Sequence, residues 1–170
     1  MCTVHGLFEQ SVVPLVFVLL SDKKAATYYK VLGLIRDAVS AGGDVFEPEI
    51  VMSDFESGFI EAIRRQFPHA QHSGCHFHFG QAVWRKLQDL SLTSRYRDDV
   101  VVRNFVKSLV AMAFIPAHEV LEQFNRLERN LPAETLLLLG KFIVYFRSTW
   151  LDGIYPIAMW NKYGKDHLHR

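Results

Sequence analysis

The chain has 170 residues, of which 49% are hydrophobic and 22% charged, with few glycines and prolines. This composition excludes a chain that is disordered throughout, and the length is enough for one core with a helical appendage. The 19 basic residues nearly balance the 18 acidic ones, whereas a protein that holds nucleic acid unaided usually has a basic excess. If this chain handles DNA, a local patch or another module must therefore do the holding.

Two cysteines, Cys2 and Cys75, are too few for a disulfide framework, which favours a reducing, intracellular setting. The longest apolar run, residues 136–146, is too short to span a bilayer, so we expect no membrane partner. Residues 12–20 have the length of the apolar part of a signal peptide, but no basic segment precedes them. We interpret them as a strand and find no targeting signal.

The first elements are two predicted strands joined by a turn. Residues 1–5 resemble the end of a strand, and residues 6–11 form a plausible turn. Residues 12–20 are continuously apolar and rich in β-branched side chains, which predicts a strand buried on both faces. Pro14 near the start of this strand predicts that one edge is locally unpaired.

A helix and further short elements follow. Ser21-Asp22 offers an N-cap for a helix with one apolar stripe, which Gly42-Gly43 ends, the first glycine lying near the C′ position. Residues 49–53 contain a short buried strand, and Ser53-Asp54-Phe55-Glu56 has the pattern of a capping box at a helix start. Residues 70–73 favour a last short strand. The predicted order is therefore strand, strand, helix, strand, helix, strand.

From residue 75 onward the chain is predicted to be helical. Apolar residues recur at helical spacing in residues 75–90 and 101–114, and Pro116 suits the first position of another helix. Residues 134–150 are apolar on nearly every side, which predicts a buried helix. Residues 152–156 indicate a turn.

Asp54 is the first candidate functional residue. A carboxylate directly after a buried strand is held rigidly at an open sheet edge, where metal-binding acids are common. Serine and aspartate are also the preferred N-cap residues, so capping of the next helix is the alternative, favoured about two to one by spacing alone. The two roles are compatible.

His72, Cys75 and His78 form a second candidate, with His69 and His76 nearby. Nitrogen and sulfur ligands at this density could bind zinc, but a structural zinc site normally has four ligands. The spacing therefore favours a buried Cys75 and a hydrogen-bonded His78 over a zinc site.

Basic and aromatic side chains follow on the first predicted helix after residue 75. Arg85 and Lys86 could contact DNA phosphates, although a solvated helix face explains them equally well. We interpret Trp84, Trp150 and Trp160 as core or edge aromatics, because no sequence feature argues for base stacking.

Five segments, in order along the chain, resemble the Mutator-like (MULE) transposases, a DDE-type family. They are Pro14-Leu15-Val16-Phe17-Val18-Leu19-Leu20 with Lys23 or Lys24 and Thr27-Tyr28; Ile50-Val51-Met52-Ser53-Asp54-Phe55-Glu56; Phe67-Pro68 with Gly74-Cys75-His76-Phe77-His78-Phe79; Gln81-Ala82-Val83-Trp84-Arg85-Lys86; and residues 109–116. Any one motif is modest support, and the series is strong support.

The resemblance implies an α/β fold of the ribonuclease H-like type, with a mixed five-stranded sheet, flanking helices and an all-helical insertion. Residues 1–74 would be a partial core without its first strand, and residues 75–150 the helical insertion. Residues 151–170 would be a return segment that stops before the final catalytic helix. This agrees with the order of elements predicted from the residues.

The resemblance also implies DNA cleavage and strand transfer by an Asp-Asp-Glu triad that holds two divalent metals, Mg²⁺ or Mn²⁺. Asp54 matches the second acid of the triad, and Cys75 and His78 match the C-x-x-H element of the family. The implied partner is DNA at transposon ends, with possible self-association, and the implied location is nuclear.

The chain departs from the family pattern at both ends. The first acid of the family precedes the segment that matches residues 3–6, and the final glutamate follows the segment that matches residues 159–161. Residues 163–170 contain no such glutamate, and Glu56 lies on the wrong element to replace it. We therefore expect that these 170 residues hold metal weakly and neither cut nor join DNA. The alternatives are a piece of an active transposase, a domesticated relic acting as a protein- or DNA-interaction module, and an unrelated histidine-cluster metal domain.

Overall fold

A computed structural model describes residues 2–9 and 11–165 and shows a mixed α/β protein in which helices predominate. The predicted order of the first six elements is confirmed. The strands are β1 (Cys2–Phe8), β2 (Ser11–Val18), β3 (Ile50–Ser53) and β4 (Gln71–Gly74). The helices are α1 (Ala25–Ala41), α2 (Ser57–Gln66), α3 (His76–Asp89), α4 (Thr93–Asp98), α5 (Val100–Ala111), α6 (Val120–Arg129), α7 (Ala133–Phe146) and α8 (Ile157–Trp160).

Strands β1 and β2 form an antiparallel hairpin. The turn predicted over residues 6–11 is wrong, because β1 continues to Phe8 and the left-handed Glu9 (φ 53°) lies at the reversal. The register shifts between Val4 and His5, which leaves Leu15 opposite no partner. Pro14 pairs with His5 beside this irregularity, a place in a sheet where a residue without an N–H is tolerated.

Burial of β2 on both faces, as predicted, is wrong. Val16 and Val18 share a groove with apolar residues of α1, but Leu15 and Phe17 are 61% and 67% exposed. Among the described residues β2 pairs with β1 alone, in a sheet of two strands. A continuously apolar strand is buried on both faces only where other elements pack against both faces. Here α1 packs against one face of β2.

The start of α1 also differs from the prediction. The helix begins at Ala25, with Lys24 rather than Ser21 or Asp22 as the N-cap residue. Asp22 Oδ1 instead accepts hydrogen bonds from the Lys24 N–H (3.1 Å) and the Thr27 hydroxyl (2.6 Å). The aspartate therefore stabilises the turn that enters the helix. At the other end Gly42 is the C-cap, and Gly43, not the first glycine, takes the left-handed conformation (φ 90°).

Helices α1 and α2 pack together over a small core that positions the loop after β3. Its buried members are Tyr28, Leu32, Ala62, Ile63 and Phe67. Strand β3 pairs with β4, and the Gln71 N–H donates to the Glu49 carbonyl at 2.8 Å beside this pair. The described strands form two separate two-stranded sheets rather than one continuous five-stranded sheet.

Helices α3 to α8 form their own core, which is rich in aromatic rings. Phe79 stacks on Trp160 with ring centroids 4.9 Å apart, and Phe124 stacks on Phe146 at 5.7 Å. All four rings are fully buried. The stack of Phe79 on Trp160 holds α3 in place, and with it the residues at its start.

Three helical predictions need correction. The helix predicted over residues 101–114 is α5 followed by a 3-10 turn, Met112–Phe114, and the one predicted over residues 134–150 is α7 followed by a π-helical turn, Arg147–Leu151. Pro116 precedes a 3-10 turn that leads into α6 rather than opening the helix itself. The short helix α4 was not predicted.

The chain divides into two compact units, one up to His72 and the other from Ser73. Residues 151–165, expected to be a separate return segment, lie in the second unit. Residues 166–170, the end of the predicted return segment, lie outside the described residues. No helix in the described part of the chain has the length and hydropathy needed to cross a membrane.

Candidate functional site

Asp54 lies between β3 and α2, and it does not cap the helix. Helix α2 begins at Ser57, with Glu56 as the N-cap residue and no side-chain cap, so the predicted capping box is wrong. Asp54 Oδ1 accepts the Glu56 N–H at 3.2 Å, and the Ser53 hydroxyl donates to the Asp54 carbonyl at 2.7 Å. These local bonds shape a turn before the helix, a common role of serine and aspartate.

The other carboxylate oxygen of Asp54, Oδ2, has no hydrogen-bond partner among the described residues. The side chain is half-buried, so the turn holds one oxygen and leaves the second for a ligand. A rigid carboxylate with one oxygen uncommitted suits cation binding.

Glu56 is held by two hydrogen bonds. Its Oε1 accepts the Tyr28 hydroxyl at 2.7 Å, and its Oε2 accepts the Lys23 ammonium at 2.8 Å. Burial alone would raise the pKa of Glu56, but the bonds from Lys23 and Tyr28 outweigh it and keep that pKa below its usual value. Burial and the bond to Glu56 raise the pKa of Tyr28. Glu56 therefore stays ionised and ties α1 to the start of α2.

This cluster of Lys23, Tyr28 and Glu56 is the part of the site that sequence reasoning missed. In the sequence the three residues belong to two separate motifs, and up to 33 positions separate them. No local spacing could have predicted their contact. The signal available was weak: a lysine and a tyrosine in one motif and a glutamate in another.

Cys2 lies within the electrostatic field of this loop. Burial raises the pKa of its thiol, and the negative charges of Asp54 and Glu56 raise it further. The thiol therefore stays protonated, and it is a poor metal ligand in this setting because thiolate is the ligating form.

His72 contacts Ser53 from the neighbouring strand, with Nε2 2.7 Å from Ser53 Oγ. Burial, with a smaller effect from the charge of Arg64, lowers the pKa of His72 to about 4. The imidazole is therefore neutral at pH 7. Because the Ser53 hydroxyl donates its one proton to the Asp54 carbonyl, we assign the ring proton to Nε2.

Cys75 and His78 lie at the start of α3, in the second unit. Cys75 is the N-cap residue and half-buried, and its carbonyl accepts the Phe79 N–H at 3.0 Å. Nδ1 of His78 is buried with no hydrogen-bond partner among the described residues. The expectation of a buried Cys75 and a hydrogen-bonded His78 is therefore wrong.

Lys162 is a second residue that sequence reasoning missed. Its side chain is 3% exposed, and its ammonium donates to the buried Ser73 hydroxyl at 2.6 Å. Burial, with a smaller effect from the charge of Lys165, lowers the pKa of Lys162 to about 8, while Cys75 acts in the opposite direction. The residue links the segment after α8 to the strand that leads into α3.

The two candidate DNA contacts differ in their surroundings. Arg85 is exposed on α3. The ammonium of Lys86 lies 5.0 Å from the centre of the Tyr145 ring, a cation–π contact with α7. Arg85 is therefore the more available of the two for phosphate.

The described residues do not complete a metal site by themselves. In residues 2–9 and 11–165, no three histidine, cysteine, aspartate or glutamate side chains are placed to hold one ion. Asp54 offers a single oxygen, and both oxygens of Glu56 are committed to Tyr28 and Lys23. The two-metal site that the resemblance implies would require ligands besides Asp54 and Glu56.

Residues 3–82 match the family model of the MULE transposase domain, which confirms the resemblance for the motifs within that range. The matched range includes Asp54, Cys75 and His78 and ends before Arg85. No curated protein and no solved structure matches the chain.

Proposed function

We propose that this chain is part of the catalytic region of a DNA transposase. The premise is the match of residues 3–82 to the MULE transposase domain. The observation that carries the proposal is Asp54: it follows β3, lies within the matched range, and keeps Oδ2 uncommitted. In this role Asp54 is the second acid of the family's triad. The proposed macromolecular partner is DNA.

The ribonuclease H-like fold is part of the same proposal. The order β1, β2, α1, β3, α2, β4 and the antiparallel β1–β2 hairpin support it. In that fold the hairpin and the β3–β4 pair would belong to one mixed sheet. Asp54 would then lie at the sheet edge where α/β folds usually place their ligand sites.

The family's chemistry is metal-dependent phosphoryl transfer on DNA, and such sites use several carboxylates around their metal ions. Glu56 is a poor second ligand because Lys23 and Tyr28 occupy both its oxygens. With Asp54 as the one available acid of this loop among the described residues, a pair of cations is weakly held. We therefore propose that these 170 residues alone neither nick nor join DNA.

The test uses the purified 170-residue chain with supercoiled plasmid and labelled duplex, in Mg²⁺ or Mn²⁺. We expect neither nicking nor strand transfer from the unmodified chain, from Asp54→Asn, or from the control Asp44→Asn, which changes an exposed aspartate. Nicking that Asp54→Asn abolishes and Asp44→Asn preserves would show a complete site in this chain and overturn the proposed inactivity.

A second readout on the same proteins tests the role of Asp54 itself. Added Mn²⁺ should broaden NMR signals around Asp54 before those of other regions, because the paramagnetic ion relaxes nearby nuclei. Asp54→Asn should remove this local broadening, and Asp44→Asn should leave it. Broadening that is unchanged in Asp54→Asn would show that Asp54 is not a metal-binding acid.

A further inference from the structure

The second unit has an open groove of about 520 Å³ between α3 and α5. Its walls are mostly apolar, with Gly80 on α3 and Val110 on α5 among them. Three aromatic residues line it: Trp84, Tyr96 and Phe114. The groove belongs to neither the Asp54 loop nor the Cys75–His78 element, and the function proposed above does not use it.

Trp84 differs from the other two tryptophans of the chain. Trp150 and Trp160 are buried in the aromatic core, whereas Trp84 is 39% exposed at the groove. Its ring meets that of Tyr96 edge to face, with centroids 5.2 Å apart and planes at 74°. This contact fixes the indole while part of it stays open to solvent. Trp150 and Trp160 are thus core aromatics and Trp84 is an edge aromatic, which agrees with the prediction of core or edge positions.

The charged side chain that lines the groove is positive. Among the described lining residues only Lys107 is charged, and it is exposed. Residues 75–114, which include the groove, contain six lysines and arginines against three aspartates, a net charge of +3 in a chain whose total is +1. One of those aspartates, Asp99, is used by backbone amides of α5, and another, Asp98, by Arg97. The local surplus favours an anionic ligand.

The arginines near the groove are partly ordered already. Arg103 donates to the carbonyl of Arg97 at 2.6 Å and lies on the face of α5 that also carries Lys107, one turn further along. Arg85 follows Trp84 directly and is exposed. An anion that reached Trp84 would therefore meet Lys107 on the α5 side of the groove.

We propose that this groove binds single-stranded DNA, with a base stacked on Trp84 and the backbone phosphate beside Lys107. Aromatic rings with flanking cations are the usual elements of sequence-tolerant single-strand binding. An apolar protein helix would gain from the walls but would gain nothing from the basic surplus. The inference rests on the proposed transposase function for its choice of DNA as the polyanion.

The experiment measures binding of a fluorescein-labelled oligothymidylate of about twelve nucleotides by anisotropy, in EDTA and low salt. Tryptophan emission is recorded in the same titration. Because Trp150 and Trp160 are buried, quenching by DNA reports mainly on Trp84. We expect saturable binding together with quenching.

Variants separate stacking from charge. Trp84→Leu should weaken binding roughly 5- to 100-fold, and Trp84→Phe, which keeps a flat ring, should recover part of the loss. Lys107→Gln should reduce the slope of log affinity against log salt by about one. The matched control Lys141→Gln, an exposed lysine of α7, should leave affinity and slope unchanged. Circular dichroism establishes that each variant is folded.

Three outcomes would overturn the proposal. The first is that the unmodified chain does not bind the oligonucleotide at low salt. The second is that Trp84→Leu binds it as tightly as the unmodified chain does. In the third, the groove binds bis-ANS in a Trp84-dependent way that DNA does not displace, which would assign it to an apolar protein partner. EDTA removes divalent metal from the assay, so failure here is distinguishable from failure of Asp54 as a metal-binding acid.

Discussion

His72 shows how burial sets the protonation of a single residue. The ring lies against Ser53, and burial with the charge of Arg64 holds its pKa near 4. An unfolded chain has a histidine pKa of about 6.5. The pKa of His72 is therefore lower in the folded state than in the unfolded state.

The sign of the pH dependence follows from that difference. Above about pH 6.5 both states are neutral at His72, and between about pH 6.5 and pH 4 only the unfolded state gains the proton. His72→Gln should therefore reduce the loss of stability as the pH falls through this range, since glutamine keeps an N–H donor for Ser53 and does not titrate. Urea unfolding at several pH values measures the effect.

The control for this prediction is His118→Gln, because the His118 side chain is 83% exposed. It should leave the pH profile of stability as it is in the unmodified chain. A profile that His72→Gln and His118→Gln change equally would contradict a buried, neutral His72.

The start of α5 shows how one side chain defines an element. Asp99 follows α4 and caps α5, and its Oδ1 accepts the N–H groups of Val101 (2.8 Å) and Val102 (3.3 Å). Sequence periodicity predicted a helix over residues 101–114 but did not identify this cap. Without such an acceptor, the first amides of the helix would lack a protein partner.

Asp99→Ala should lower the free energy of unfolding by about 1 kcal/mol, as loss of an N-cap usually does. Asp98→Ala is the matched control, since Asp98 pairs with Arg97 on the surface, and it should have little effect. Chemical denaturation of both variants checks this. Equal destabilisation by the two substitutions would show that the cap is not what stabilises α5.

Strand β2 shows that packing determines how far an element is buried. Its residues are as apolar as those of a central strand, yet Leu15 and Phe17 are largely exposed because no second layer lies over them among the described residues. Residue type predicted the strand, and the packing around it determined its burial.

At the scale of the whole molecule, the two compact units have cores of different kinds. The first has Tyr28, Leu32 and Ile63 among its buried residues, and the second is built around stacked aromatic rings. All three tryptophans lie in the second unit. Tryptophan emission therefore monitors unfolding of the second unit.

Phe79→Ala should destabilise the second unit by about 3–5 kcal/mol, because it removes a fully buried ring that stacks on Trp160 and leaves a cavity. Leu137→Ala, at an 84% exposed position of α7, should have a small effect by comparison. Urea unfolding followed by tryptophan emission measures both. If Phe79→Ala costs no more than Leu137→Ala, the aromatic core does not stabilise this unit.

The sequence by itself determined the order of the first six elements, the helical character of the chain after residue 75 and the match of Asp54 to a family motif. These properties depend on residues close together in the chain, so periodicity and motif spacing contain them. Helix starts at Asp22 and Asp54 were predicted wrongly because side chains that cap helices also stabilise turns.

Asp54 shows the difference between what the sequence determined and what the tertiary structure decided. Its neighbours in the chain identified it as a candidate acid, and only the tertiary structure showed Oδ1 used in a turn and Oδ2 left open. The clamping of Glu56 by Lys23 and Tyr28, the bond from Lys162 to Ser73 across 89 positions, and the exposure of Trp84 among buried tryptophans were likewise decided by the fold. Such contacts join residues distant in sequence, and their geometry exists only once the helices and strands have packed.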